Sequence, residues 1–285
     1  MFDKRFTFWI LSVPPLIWLA LFFLLPLLLM AAFSFRADSH GQLFSGWVLG
    51  FNQYASVWAS PAFLRLLGLS SLVALLVSLT VVLMSYPLAY YLAIYAGRRM
   101  GFFLVLLLVP FWTSYLLRVM AWKIMLGSNG VINSVLLYLK VIQQPLEALL
   151  YNRTAVTLTL IYVWIPFAAL PILAALQRIE PLIFEAAADL GARPLNQFLR
   201  ITLPLSLPGV FAAFFMVFIP TVGEYVTPLL VGGSSGSLYG NIIQDFFTKA
   251  SNWPLGSALS MIMLALTFVF LLVATRLVNL RDVLQ

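Results

Sequence analysis

Apolar positions along this 285-residue chain gather into six long runs, parted by short polar or charged segments. The runs cover residues 9–35, 66–95, 102–126, 155–176, 207–231 and 255–277. About 20 apolar residues in helical form cross a hydrocarbon core of about 30 Å, so each run predicts one membrane-spanning helix. None alternates apolar and polar residues with period two, which argues against a β-barrel. The first run follows Asp3, Lys4 and Arg5, as a secretory leader's would. Its apolar stretch of about 25 residues exceeds the 7–15 of a leader, so it reads as a retained anchor. Prolines inside the runs, among them Pro26, Pro87, Pro110, Pro166, Pro171, Pro220 and Pro228, predict bends. Membrane helices tolerate these where neighbours satisfy the freed carbonyls.

The segments between the runs add detail. Phe51-Asn52-Gln53-Tyr54 opens an apolar, aromatic stretch leading to Leu66, which predicts a helix lying on the outer surface. Residues 132–141 predict a short helix in the next outer loop. Asn152-Arg153-Thr154 matches the glycosylation pattern, a weak three-residue signal. No internal repeat or low-complexity tract is evident.

Composition narrows the class. Apolar residues make up 63% and charged residues 9%, far from the roughly half and quarter of soluble domains. That excludes a soluble enzyme, a disordered chain and a nucleic-acid-binding domain. The fold class is an all-α membrane protein of six transmembrane helices. Cysteine is absent and His40 is the single histidine, so thiolate or imidazole metal sites and His-based catalysis are excluded. No catalytic and no metal-binding residue is assigned. An intramembrane enzyme would need paired polar catalytic groups in the spans, and none is present.

The net charge of +7 is a statement about topology. With the N-terminus inside, Lys4, Arg5, Arg98, Arg99, Arg178, Arg193, Arg200, Arg276 and Arg281 are cytoplasmic. Arg36, Arg65, Lys140, Arg153 and Lys249 are outside. The imbalance favours both termini in the cytoplasm.

Residues 177–207 break the apolar pattern with a long, mixed-charge cytoplasmic segment. Pro181 suits the first turn of one helix, Gly191 the left-handed residue just past its end, and Pro194 the first turn of a second. Pro204 is expected to end that second helix. The result is a helix–glycine–helix elbow. Its small Ala186-Ala187-Ala188 run lies beside Glu185 and Asp189, so it permits close approach by a surface carrying basic groups.

This segment carries a family resemblance. Glu185, Ala186, Ala187, Gly191, Ile201, Leu203 and Pro204 match every fixed position of the pattern E-A-A, three residues, G, nine residues, I-x-L-P. The pattern resembles that of permease subunits of binding-protein-dependent ABC importers. Pro110 to Arg118 with Ala121-Trp122 is similar to polyamine permeases, and so are Asn129 to Asn133, Gly223 to Pro228 and Asn252-Trp253-Pro254.

The resemblance implies a type I ABC importer permease fold in the bacterial plasma (inner) membrane. Residues 1–65 would form an N-terminal helix and outer loop, 66–279 the permease domain with its coupling loop at 178–206, and 280–285 a short tail. Glu185, Ala186, Ala187, Asp189, Gly191, Ala192 and Arg193 would dock on a cytoplasmic ATPase. The implied partners are two ATPase subunits, a second similar permease subunit, an external solute-binding protein and the lipid bilayer. No G-x-x-x-x-G-K-[ST] occurs, so this chain has no phosphate-cradling loop. It is expected to be no enzyme and to carry no cofactor of its own, ATP and Mg being bound by the partner. The implied solute is a small cation such as putrescine or spermidine. The alternatives are a different small solute, an amino-acid derivative or opine-like molecule, or a stand-alone secondary transporter.

Apart from Arg276 at the cytoplasmic end of the last run, three charges lie within the runs: Arg118, Lys123 and Glu224. Charges at membrane depth face a cavity or a partner. A cation's pathway needs carboxylates and aromatic faces, which points to Glu224, Tyr225, Trp112 and Tyr115. The competing reading is a Glu224–Arg118 pair that fastens two helices. Arg118 and Lys123 would repel a cationic solute unless paired or turned away.

Overall fold

The computed structural model describes residues 4–37, 48–146 and 149–277. His40 and the tail at 280–285 lie outside the described residues. The architecture is helical, with thirteen α-helices among the described residues. Five spans are long and apolar enough to cross a membrane: Leu11–Ser34, Pro61–Ile94, Arg153–Leu176, Pro194–Val222 and Trp253–Arg276. A sixth is a pair of helical stretches, Gly97–Trp112 and Tyr115–Tyr138, bent by 88°.

The chain divides into two compact units: Met1–Arg65 with Ile242–Leu266, and Leu66–Asn241 with Thr267–Gln285. In the first unit, α1 (Lys4–Leu19) passes through a π turn (Ala20–Leu24) into α2 (Leu25–Ser34). A proline ring collides with the carbonyl four residues back, which for Pro26 is Phe22. That carbonyl lies inside the π turn, where Leu25 N–H reaches back five residues to Ala20 and loosens the ladder. After α2 the backbone pairs briefly, Ala37 N–H to the Val48 carbonyl and Gly50 N–H to that of Phe35. The short helix α3 (Asn52–Ala59) is clamped by Ser34 Oγ on Tyr54 Oη at 2.7 Å and by Gln53 on the carbonyls of Arg36 and Ala37. The outer helix expected from sequence is thus only eight residues long. Residues 61–65 belong instead to α4 (Pro61–Ile94), because Pro61 is preset for a first helical turn.

The second unit holds the core. Val73, Val77 and Val81 of α4 pack with Val119 and Leu126 of α6 (Tyr115–Leu126). They also meet Leu160, Ala168 and Ile172 of α8 (Arg153–Leu176) and Ala213 and Val217 of α11 (Leu203–Val222). Helices α8 and α11 make the most extensive helix–helix contact among the described residues. They approach closely because Gly209 presents no side chain: a Cβ there would lie 2.5 Å from both the Ala175 Cβ and the Pro171 carbonyl. Small residues at such crossings are what membrane helices use in place of a hydrophobic driving force. Asn152, the first residue of the glycosylation-like triplet, caps α8 by accepting from Ala155 N–H at 2.9 Å.

Two expectations are corrected. The run at 102–126 is not one straight helix: α5 (Met100–Leu108) tightens into a 3₁₀ turn (Val109–Trp112), and α6 leaves at a steep angle. Pro110 and the extended Thr113 (ψ 146°) break the ladder there. Pro204 does not end the second elbow helix. The chain stays helical from α10 (Pro194–Gln197) through a π turn (Phe198–Thr202) into α11. As with Pro26, the carbonyl that Pro204 would strike, Arg200, lies within the π turn, so the helix absorbs the proline.

The α8–α11 contact is directly testable. Gly209→Val is expected to lower stability by about 1–3 kcal/mol through overpacking. Gly68→Ala on α4, where a Cβ meets nothing within 4 Å, is expected to leave it unchanged or raise it. Thermal unfolding in detergent followed by circular dichroism separates the two, and equal melting of both variants would contradict the packing.

Candidate functional site

Two sites emerge within the second unit. The first is the elbow. Helix α9 (Pro181–Asp189) begins with Pro181 after an extended Glu180. It ends in a left-handed glycine, Gly191 at φ +79°. Ala192 N–H reaches the Ala187 carbonyl at 2.9 Å and Gly191 N–H that of Ala188 at 2.8 Å, a Schellman closure. A Cβ on Gly191 would meet nothing within 4 Å, so its dihedral and not crowding demands glycine. Gln197 then ties α10 back through the Ala192 carbonyl.

The elbow is exposed. Glu185, Ala186, Asp189, Gly191 and Arg193 face out, while Ala187 and Ala192 are half-buried. Among the described residues neither Glu185 nor Asp189 joins an ion pair. Leu190 is 89% exposed, Leu182 68% and Leu195 67%. The sequence reading singled out the carboxylates and small residues here; the structure adds this bare leucine surface, on which Leu190 stands beside the glycine. From the elbow the chain enters the π turn. Phe198 lies edge-on to Tyr86 and Tyr90 of α4, with centroids 5.8 and 5.5 Å away. The Tyr86 and Ser206 hydroxyls meet at 2.9 Å.

The second site is where two interrupted helices meet. Helix α11 ends at Val222, and a helical π turn (Pro228–Gly232) follows after an irregular stretch. Glu224 lies in that gap. Its Oε1 accepts from the N–H groups of Val226 at 2.8 Å and Thr227 at 2.9 Å, so the side chain caps the next turn. The other interruption, Thr113-Ser114, delivers Tyr115 as the first residue of α6. The Tyr115 and Thr227 hydroxyls meet at 2.6 Å and join the two breaks.

A third element cradles this junction. Helix α12 (Tyr239–Thr248) starts with its backbone against it: a Cβ on Gly240 would lie 2.6 Å from the Gly223 carbonyl and 2.7 Å from that of Glu224. Asn241 donates to the Tyr225 carbonyl at 2.8 Å and accepts from Leu238 N–H. Thr227, Gly240 and Asn241 were not among the predicted site residues, and nothing in the sequence near Gly240 and Asn241 marks them out.

Of the predicted pathway residues, the structure joins Tyr115 and Glu224 through Thr227. Tyr225 is part-exposed (42%), and Trp112 is largely exposed (79%) and takes no part in those hydrogen bonds. The Glu224–Arg118 pair does not form. Arg118 instead lies over the rings of Phe111 and Tyr115, 5.4 and 6.0 Å from their centroids. Lys123 lies 5.7 Å from the centroid of Tyr151. Each of the two intramembrane cations therefore rests on aromatic faces, an arrangement worth about 0.5–2 kcal/mol.

No family model matches the chain. It is 34% identical over 265 residues to the spermidine/putrescine transport system permease protein PotB of Salmonella typhimurium, covering 92% of this chain and 91% of that one. PotB of Escherichia coli is also 34% identical, with 92% and 95% covered. Among solved structures, a bacterial alginate ABC transporter in complex with an alginate pentasaccharide-bound periplasmic protein superposes with a TM-score of 0.73 at 17% identity, covering 98% of this chain and 96% of that one. Sharing a third of its residues along nearly its whole length, the chain belongs to the family of PotB permease subunits of ABC transporters, multi-pass proteins of the bacterial inner membrane.

Proposed function

We propose that this protein is the membrane-spanning subunit of an importer for a polyamine of the putrescine or spermidine kind. A separate cytoplasmic ATPase would drive it, and an external binding protein would feed it. The observation that carries the reading is the elbow: an exposed, glycine-closed pair of short helices whose carboxylates and leucines are left largely bare by the described residues. A surface of that kind on a membrane protein fits a partner. Kinship with the PotB permeases supports the choice of an ATPase as that partner. The same kinship supports a second, similar permease subunit completing the path, with ATP and Mg held by the ATPase.

The polyamine reading draws on the Glu224 junction. Irregular backbone at membrane depth is tolerated where it is buried in protein or lines a water-filled cavity. Here that backbone carries a carboxylate beside Tyr115 and Tyr225. A linear diammonium is held by carboxylates and aromatic faces. The basic side chains that would repel it, Arg118 and Lys123, are seated on rings instead of facing the carboxylate. ATP and the loaded binding protein would each favour one of two conformations, and their differential affinities set the direction.

Three outcomes are expected. Gly191→Val should cut uptake by about 10-fold or more, since a β-branched residue cannot hold a positive φ cheaply. Gly191→Asn, which tolerates that region, should retain most of the uptake, and equal uptake by both would remove the elbow from the mechanism. Glu224→Gln should lower uptake of labelled spermidine or putrescine by about 10-fold, the worth of one charge-assisted contact. The complex should still assemble on gel filtration; if assembly fails instead, Glu224 is a structural cap alone. Gly240→Ala, by pushing on the Glu224 carbonyl, should reproduce part of the uptake loss without touching any charge. A normal uptake rate in that variant would separate α12 from the site.

A further inference from the structure

We propose that Phe198 is a positioning residue through which displacement of the elbow reaches α4 as well as α11; this rests on the importer reading above. The direct route from elbow to α11 runs through the π turn at Phe198–Thr202. There Leu203 N–H bonds back five residues to the Phe198 carbonyl. The Thr202 hydroxyl spans to the Gln197 carbonyl at a long 3.5 Å. A π turn inside an α-helix is a local loosening, a poor strut for a push along the axis.

Phe198 offers a parallel route. It opens the loosened turn, and its ring stands edge-on to both Tyr86 and Tyr90, at 86° to each. Those tyrosines are one helical turn apart on α4 and flank Pro87, where α4 lacks a backbone bond of its own. The grip continues on both sides. The Tyr86 hydroxyl meets Ser206 on α11, beyond the π turn. One residue before Tyr86, the Ser85 hydroxyl donates to the Ile165 carbonyl of α8 at 3.0 Å. Phe198 is thus pinned into α4, whereas the next side chain, Leu199, is 50% exposed. The aromatic contact bridges the soft joint in α11 and meets α4 beside its own proline.

The test uses the whole transporter in proteoliposomes: this chain, its companion permease, the ATPase and a binding protein loaded with spermidine or putrescine. Phe198→Ala should leave ATP hydrolysis within about twofold of the parent and lower uptake by about 10-fold, a coupling loss of ordinary size. Phe198→Tyr, which keeps the ring, should restore most of it. Uptake and hydrolysis falling in proportion, or neither changing, would overturn the proposal. A second variant guards against misassembly. The chain has no cysteine, so Phe198→Cys with Tyr90→Cys makes a single bridgeable pair. Closing it with a short bismaleimide should raise its uptake by about fivefold, because elbow and α4 then move together again. Further loss of uptake on bridging would show that they must separate, and would overturn the proposal. A parent complex that neither hydrolyses ATP nor transports would instead defeat the importer reading itself.

Discussion

Inside a bilayer no water satisfies a peptide group, and each unpaired N–H or C=O costs several kcal/mol. The structure depends on that constraint wherever its helices stop. Glu224 supplies an acceptor to two amides after α11 ends. Asn152 does so for the start of α8, and Asn133 closes the loop after α6 by bonding the Gly127 carbonyl and Leu146 N–H. At two of the prolines within spans, Pro26 and Pro204, a preceding π turn takes up the slack. Where two helices break near one another, the Tyr115 and Thr227 hydroxyls tie the loose ends together. Glu224, the carboxylate of the candidate pathway, is thus also a group that keeps the backbone satisfied.

The same constraint explains the treatment of charge. An ion at membrane depth needs a partner, and the obvious partnership was Glu224 with Arg118. The structure distributes the charges otherwise: the carboxylate goes to backbone amides and the guanidinium to the rings of Phe111 and Tyr115. Neither group cancels the other, and a carboxylate that is capped but not neutralised by a salt bridge still presents its negative charge to a cation. A direct ion pair would have fastened the helices equally well and erased that charge.

At the elbow the physics is the reverse. Among the described residues Leu182, Leu190 and Leu195 are left largely bare, and the carboxylates of Glu185 and Asp189 are unpaired. The shape is nevertheless set locally, by Pro181, the Schellman closure at Gly191 and Pro194. A rigid, uncovered surface next to a loosened π turn is suited to receiving a push.

Much of this was legible in the chain. The number of apolar runs and the elbow with its left-handed glycine rest on local rules: span length, proline at the first helical turn, glycine past the last. Such rules act over a few residues and survive any tertiary context. The span bounds at 155–176 and 255–277 differ from the helices by two residues at most. What sequence could not decide involves residues brought together from far apart. The sharp bend at Thr113, the persistence of helix across Pro204, the narrow seat of Gly209 and the approach of Gly240 to Glu224 each depend on a neighbouring helix supplying or denying space. The identity of Arg118's partner was undecidable for the same reason. A guanidinium chooses among whatever acceptors and rings the packed helices bring within about 6 Å, and only the tertiary structure fixes that set.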